Sequence, residues 1–164
     1  MKGKIAIVSA TVLTIASIGQ IGLTFVLYND EANEVLRNAG WGVLMLSAIF
    51  GWLPIFTFRK MGRVKGRGYI HTTVLVDKGV YGIVRHPQYL AGVLISIALP
   101  MIAQNWLVAI FGLVAMVIYY FDTFVEEKSD IEKFGDEYRR YMQSVPRLNF
   151  ILGIARLARR RYCS

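Results

Sequence analysis

Residues 79–92 read Gly-Val-Tyr-Gly-Ile-Val-Arg-His-Pro-Gln-Tyr-Leu-Ala-Gly and lead directly into an apolar stretch. Pro87 suits the first turn of a helix, where its missing N–H costs nothing. That puts His86 near the N-cap, Arg85 just before it and Tyr89 in the first turn. The unpaired first-turn amides and the positive dipole end aim at one place, where a carboxylate or phosphate binds. Ala91 and Gly92 are small and allow a ligand or another backbone to come close. Arg, His and Tyr also serve as interfacial anchors at headgroup level, and spacing alone leaves both readings open.

A second group follows at residues 119–128, Tyr-Tyr-Phe-Asp-Thr-Phe-Val-Glu-Glu-Lys. Tyr119, Asp122 and Glu126 fall on one helical face by the three-and-four rule. Asp122 lies about one turn inside an apolar run, where a charge costs up to about 2.5–3.5 kcal/mol at mid-helix and less near the end. It is therefore expected to face the bundle or a water-filled cavity. Glu126 and Glu127 are neighbours and are not expected to face one partner. Glu127 and Lys128 read as a solvated helix end, whereas for Glu126 solvation and function weigh equally.

The elements that must position these residues are apolar helices. The chain has 164 residues, 55% of them hydrophobic and 18% charged, which suits a single membrane domain. A bilayer core takes about 20 apolar residues as helix. Four runs qualify or nearly so: 5–28, 41–58, 87–103 and 106–125. The third is short and is expected to tilt or reach into the interface. Gln104-Asn105 leaves room only for a tight antiparallel hairpin, and Pro54 and Pro100 are expected to kink their helices. The first run begins like a secretory signal after Lys2 and Lys4, but it continues unbroken to Tyr28, which favours a retained span.

Of the 19 lysines and arginines, 18 fall at the N-terminus, between Arg59 and His86, or after the fourth run. The positive-inside rule then places both termini and the long loop in the cytoplasm. A net charge of +8 beside apolar runs points to anionic headgroups and not to nucleic acid. The single cysteine, Cys163, excludes an intramolecular disulfide and a cysteine-rich metal site, and reads as a spectator thiol. His71 reads as an interfacial or turn residue in a stretch, Tyr69 to Val76, that is extended or interfacial. Ile131, Phe134, Tyr138 and Tyr141 keep helical spacing across Gly135 and are expected to fold back as a lid, with Pro146 ending it. Residues 150–157 are too short to span, and with Arg156, Arg159, Arg160 and Arg161 they read as an interfacial anchor on anionic lipid. The expected fold is thus all-α: a membrane bundle of about four spans with a cytoplasmic C-terminal helical lid, the site and lid lying within 74–148 and a basic tail within 150–164.

The pattern Gly-x-Tyr-x-x-x-Arg-His-Pro-x-Tyr, then Glu126-Glu127, then Phe134-Gly-Asp-Glu-Tyr138, resembles the isoprenylcysteine carboxyl methyltransferase and phospholipid methyltransferase superfamily. The likeness runs from about Val74 to Leu148. There are departures: Ala91 stands where glycine is frequent, Asp130 where an apolar residue is usual, and Phe150 near a common proline. They bear on substrate shape more than on cofactor binding.

The resemblance implies an integral membrane enzyme using S-adenosylmethionine. Arg85 and His86 would take the cofactor's carboxylate, with Pro87 starting the helix. Glu126 and Glu127 would take its ammonium or ribose hydroxyls, and Tyr81, Tyr89 and Tyr138 would stack on adenine or face the sulfonium. Glu126, Asp122 and Arg85 are the catalytic candidates. The cofactor would enter from the cytoplasm and a lipophilic acceptor, an isoprenylcysteine-like carboxylate or a phospholipid amine, laterally from the bilayer. Catalysis would be alignment and exclusion of water, with Glu126, Asp122 or His86 taking a proton from an amine or thiol acceptor. No glycine-rich dinucleotide fingerprint occurs, which argues against a Rossmann-type site. A sterol-type membrane reductase using a nicotinamide cofactor and a non-catalytic lipid-binding scaffold are the alternatives.

Overall fold

The computed structural model describes residues 2–29, 31, 33–61 and 74–162. Among these residues the regular structure is helical: α1 (Lys2–Val26), α2 (Glu34–Met61), a 3-10 turn (Gly79–Gly82), α3 (Pro87–Ala103), α4 (Trp106–Phe134), α5 (Asp136–Ser144) and α6 (Phe150–Tyr162). The expectations for His71, for Tyr69 to Thr73 and for Cys163 lie outside the described residues. Among the described residues, three helices are long and apolar enough to cross a bilayer, with spans at Ile7–Val26, Glu34–Thr57 and Trp106–Phe134, while α3 is the shorter apolar helix. Large apolar side chains stand open along them, among them Ile18, Phe25, Met45, Trp52 and Phe121. Side chains this apolar are stable in the open only against lipid, and the protein is an integral membrane helical bundle.

One expected boundary moves. The stretch between the first two apolar runs, 29–40, is helical from Glu34 onward. Asn33 explains the early start: its Oδ1 accepts the Leu36 N–H at 3.0 Å, an N-cap that opens the helix before the apolar run begins. Both α2 and α3 continue through their internal prolines, Pro54 and Pro100.

The chain groups into two compact units, Met1–Ile49 with Leu90–Asp122, and Phe50–Tyr89 with Thr123–Ser164. The first is held in the manner of membrane helices, by small residues and by polar side chains that bond across helices. Gln20, 2% exposed, donates from Nε2 to the Ser96 carbonyl at 2.9 Å, and Ser47 donates to the Ala91 carbonyl at 2.7 Å. Gly92 lies under the Tyr119 ring, where any Cβ would collide. The two-residue link after α3 is closed by Gln104 at φ 49°, whose side chain also accepts from the Asn33 N–H and donates to the Asn33 carbonyl.

The second unit contains α5 and α6. Gly135, at φ 58° and ψ −130°, takes a positive-φ conformation, open to glycine, that ends α4 and lets α5 start. Tyr138, Tyr141 and Val145 then bury against Leu75, Ile131, Phe134 and Met142. Behind them Gly153 of α6 lies so close to the Ile83 carbonyl that no side chain fits between.

Candidate functional site

Two turns of backbone hold the site segment in place. Gly79, at φ 64°, opens the 3-10 turn, and the buried Val80 and Val84 fix it. Arg85 and His86 donate their backbone N–H groups to the carbonyls of Pro146 and Arg147, at 3.0 and 3.3 Å. The segment before α3 is thereby stitched to the segment after α5. α3 starts at Pro87, fully buried, with His86 before it as the spacing predicts.

The side chains converge on Glu127, which is 3% exposed. Its Oε1 faces Arg85 Nη2 at 3.0 Å, His86 Nε2 at 3.3 Å and Arg147 Nε at 3.0 Å. Its Oε2 accepts from Arg147 Nη2 at 2.5 Å. The Arg147 pairing is the bidentate fork that suits a guanidinium and a carboxylate, and the same guanidinium lies 3.7 Å from the Phe124 ring centroid. The reading of Glu127 as a solvated helix end is therefore overturned: three cationic side chains remove it from water.

Glu126 differs. Its side chain is 45% exposed, its Oε2 lies 3.6 Å from His86 Nδ1, and Tyr89 hydrogen-bonds it. The two adjacent glutamates do share a partner, against the sequence expectation. His86 resolves the geometry, because its two ring nitrogens reach one carboxylate each. Burial of His86 works against the imidazolium, but the carboxylates of Glu126 and Glu127 outweigh it and raise its pKa above the ordinary value. The Tyr89 ring stands edge-on to the imidazole at 5.7 Å.

Arg85 carries the most informative imbalance. Its side chain is 8% exposed, and besides Nη2 it has two buried nitrogens, Nε and Nη1, without a hydrogen-bond partner. Tyr81 and Tyr138 complete the surroundings. Burial, and then the nearby carboxylates, push both phenols well above the usual tyrosine range, so both stay protonated. Tyr138 hydrogen-bonds Asp130, and the Tyr141 hydroxyl donates to the Tyr81 carbonyl at 2.7 Å, tying α5 to the 3-10 turn. Asp122, half-buried, belongs to the first unit. The other candidates, Tyr81, Arg85, His86, Pro87, Tyr89, Glu126, Glu127 and Tyr138, all belong to the second. Among the described residues no group of His, Cys, Asp and Glu is arranged to hold a metal ion.

A family model described as phospholipid methyltransferase matches residues 36–137. The chain belongs to the phospholipid methyltransferase family. Its sequence is also similar to a methanethiol S-methyltransferase of Pseudomonas deceptionensis, 29% identical over 111 residues, which is 65% of this chain and 40% of that protein. The chain thus spans well under half the length of that relative. The family match takes in Arg85 through Glu127 and stops at Glu137, so Arg147 lies outside it. Arg147 is also the site residue that the sequence reading missed. One arginine among several in a basic C-terminal region has no signal of its own beyond its position just after Pro146.

Proposed function

We propose that this protein transfers a methyl group from S-adenosylmethionine to a lipophilic acceptor that arrives from the bilayer. Arg85 carries the reading. A buried guanidinium with unpaired donors at Nε and Nη1 costs about 1–3 kcal/mol per unmet group, and an anionic ligand removes that cost. The cofactor's carboxylate has the right charge and planarity for it. Glu126 is the carboxylate with open surface and suits the cofactor's ammonium. The faces of Tyr81, Tyr89 and Tyr138 suit its adenine or sulfonium. Bound there, S-adenosylmethionine supplies an electrophilic methyl group on a sulfonium leaving group.

The chain's own part is positioning and proton handling. Glu127, saturated by Arg85, His86 and Arg147, is a positioning residue that sets the Arg85 guanidinium and the imidazole. The family supports a phospholipid amine as acceptor, and the bacterial relative's name adds a thiol to the range. Either must give up a proton, and Glu126, half in the open beside His86, is placed to accept it. An acceptor carboxylate is already ionised and needs no base. In this reading the pocket faces the cytoplasm, as do both chain termini.

The test is direct. Purified full-length protein is incubated with native lipid extract and methyl-labelled S-adenosylmethionine, and the labelled product is identified. Label in the lipid fraction, suppressed by S-adenosylhomocysteine, is the expected result. Calorimetry should find S-adenosylhomocysteine bound by the wild type and lost in Arg85→Ala. Binding of a reduced nicotinamide cofactor instead would favour a reductase, and binding of neither would favour a scaffold; both would overturn the proposal.

A further inference from the structure

Helix α6 has two apolar faces, and only one of them is used. At 100° per residue, Phe150, Gly153 and Leu157 share the inward face. Phe150 meets the ring of the buried Phe50 at 5.5 Å, and Gly153 closes on the Ile83 carbonyl. Ile151 and Ile154 lie on another face with Ala155 and Ala158, and they are 70% and 51% exposed. Arg159, exposed, borders this open stripe, Arg156 lies on a different face with its Nη1 donating to the Gln143 carbonyl at 3.4 Å, and Arg160 and Arg161 continue the helix. An exposed apolar stripe with arginine at its border, on a helix with a basic end, is the composition of a helix that lies in a lipid headgroup layer.

The position of Phe50 adds an independent constraint. It sits inside the span Glu34–Thr57, seven residues from its end, which is about 10 Å of helix. The first residue of α6 therefore packs about 10 Å inside the end of the apolar stretch of α2, at the depth an interfacial helix's apolar face reaches. We infer that α6 is a docking surface for anionic phospholipid, with Ile151 and Ile154 entering the acyl boundary and Arg159, which opens the helix's basic last turn, meeting phosphate groups. Charge complementarity selects this occupant, and the inference does not depend on the methyl-transfer reading.

The experiment compares full-length protein in nanodiscs of phosphatidylcholine with nanodiscs that also contain phosphatidylglycerol, by hydrogen exchange of the amides of residues 150–159. Each arginine near an acidic surface is worth roughly five-fold in surface partitioning, so exchange should slow several-fold in the acidic discs. High salt should remove much of the difference. The Arg159→Gln, Arg160→Gln, Arg161→Gln triple variant should lose most of it while keeping its thermal midpoint in detergent. Equal exchange in the two lipids overturns the inference, and that comparison needs no variant. Protection reproduced by soluble glycerophosphate in neutral discs would assign the site to free phosphate, and protection that follows copies per disc whatever the lipid would assign it to a second chain. Either result also overturns it.

Discussion

Replacing Glu127 by glutamine should damage stability far more than replacing Glu126, although the two residues are adjacent and the change is the same. Glu127→Gln keeps the shape and removes the charge that faces Arg85, His86 and Arg147. An amide also presents a donor to nitrogens that are themselves donors. Breaking a buried ion pair costs about 3–5 kcal/mol. Arg147, 21% exposed, can recover hydration, whereas Arg85, 8% exposed, cannot, so the lower end applies. About 3 kcal/mol at roughly 2–4 °C per kcal/mol gives a fall in Tm of about 10 °C. Glu126 is 45% exposed and its ion pair is long, at 3.6 Å. Its replacement should cost about 0–1 kcal/mol and instead weaken S-adenosylhomocysteine binding. Thermal unfolding in detergent and calorimetry on the two purified variants measure both quantities. Equal falls in Tm would refute the assignment of Glu127 as the buried counter-charge.

Three further outcomes follow from the same geometry. The raised pKa of His86 means that the folded state favours the imidazolium. Its contribution is complete below the ordinary value of about 6.5 and is lost as pH rises through the raised folded value. Tm should therefore decline as pH rises above about 6.5, and His86→Gln should flatten that slope; an unchanged slope would contradict it. Gly153→Val should force α6 off the Ile83 carbonyl, at an overpacking cost of about 1–3 kcal/mol, read as a lower Tm with faster exchange in α6. Tyr141→Phe removes the 2.7 Å bond to the Tyr81 carbonyl and should cost about 0.5–1.5 kcal/mol while leaving the Tyr138 cluster packed, measured by the same unfolding assay.

Much of the fold was legible because its signals are local. Uninterrupted apolar runs mark the long helices, Pro87 marks the start of α3, and Gly135 and Pro146 bound α5. The early start of α2 is local too, but it is written in a cap, Asn33, and not in hydropathy. The burial of Glu127 was not legible. Beside Lys128, at the end of an apolar run, it has the appearance of a solvated charge. What buries it comes from residues 41 positions before it, His86, and 20 after it, Arg147. Local pattern holds no information about pairings at such separations, which are held by long-range bonds: those from the Arg85 and His86 amides to Pro146 and Arg147, and that from the Tyr141 hydroxyl to the Tyr81 carbonyl.

The same bonds explain why the two glutamates take different roles. Neighbours on a helix point about 100° apart, so one can face inward only if the other turns toward the open side. A side chain with a single functional end, placed between them, would serve one carboxylate and leave the other to water. An imidazole with a nitrogen on each edge serves both, and it is held in register by its own backbone bond to Arg147. Arg147 in turn fills the remaining oxygen of Glu127. The inner carboxylate is thus fully engaged within the protein, while Glu126 keeps open surface. Arg85 and Glu126 then offer one site of each sign, with His86 held between the two glutamates. An amino-acid end group, carrying one carboxylate and one ammonium, is complementary to that arrangement, and a ligand with a single charge would satisfy only half of it.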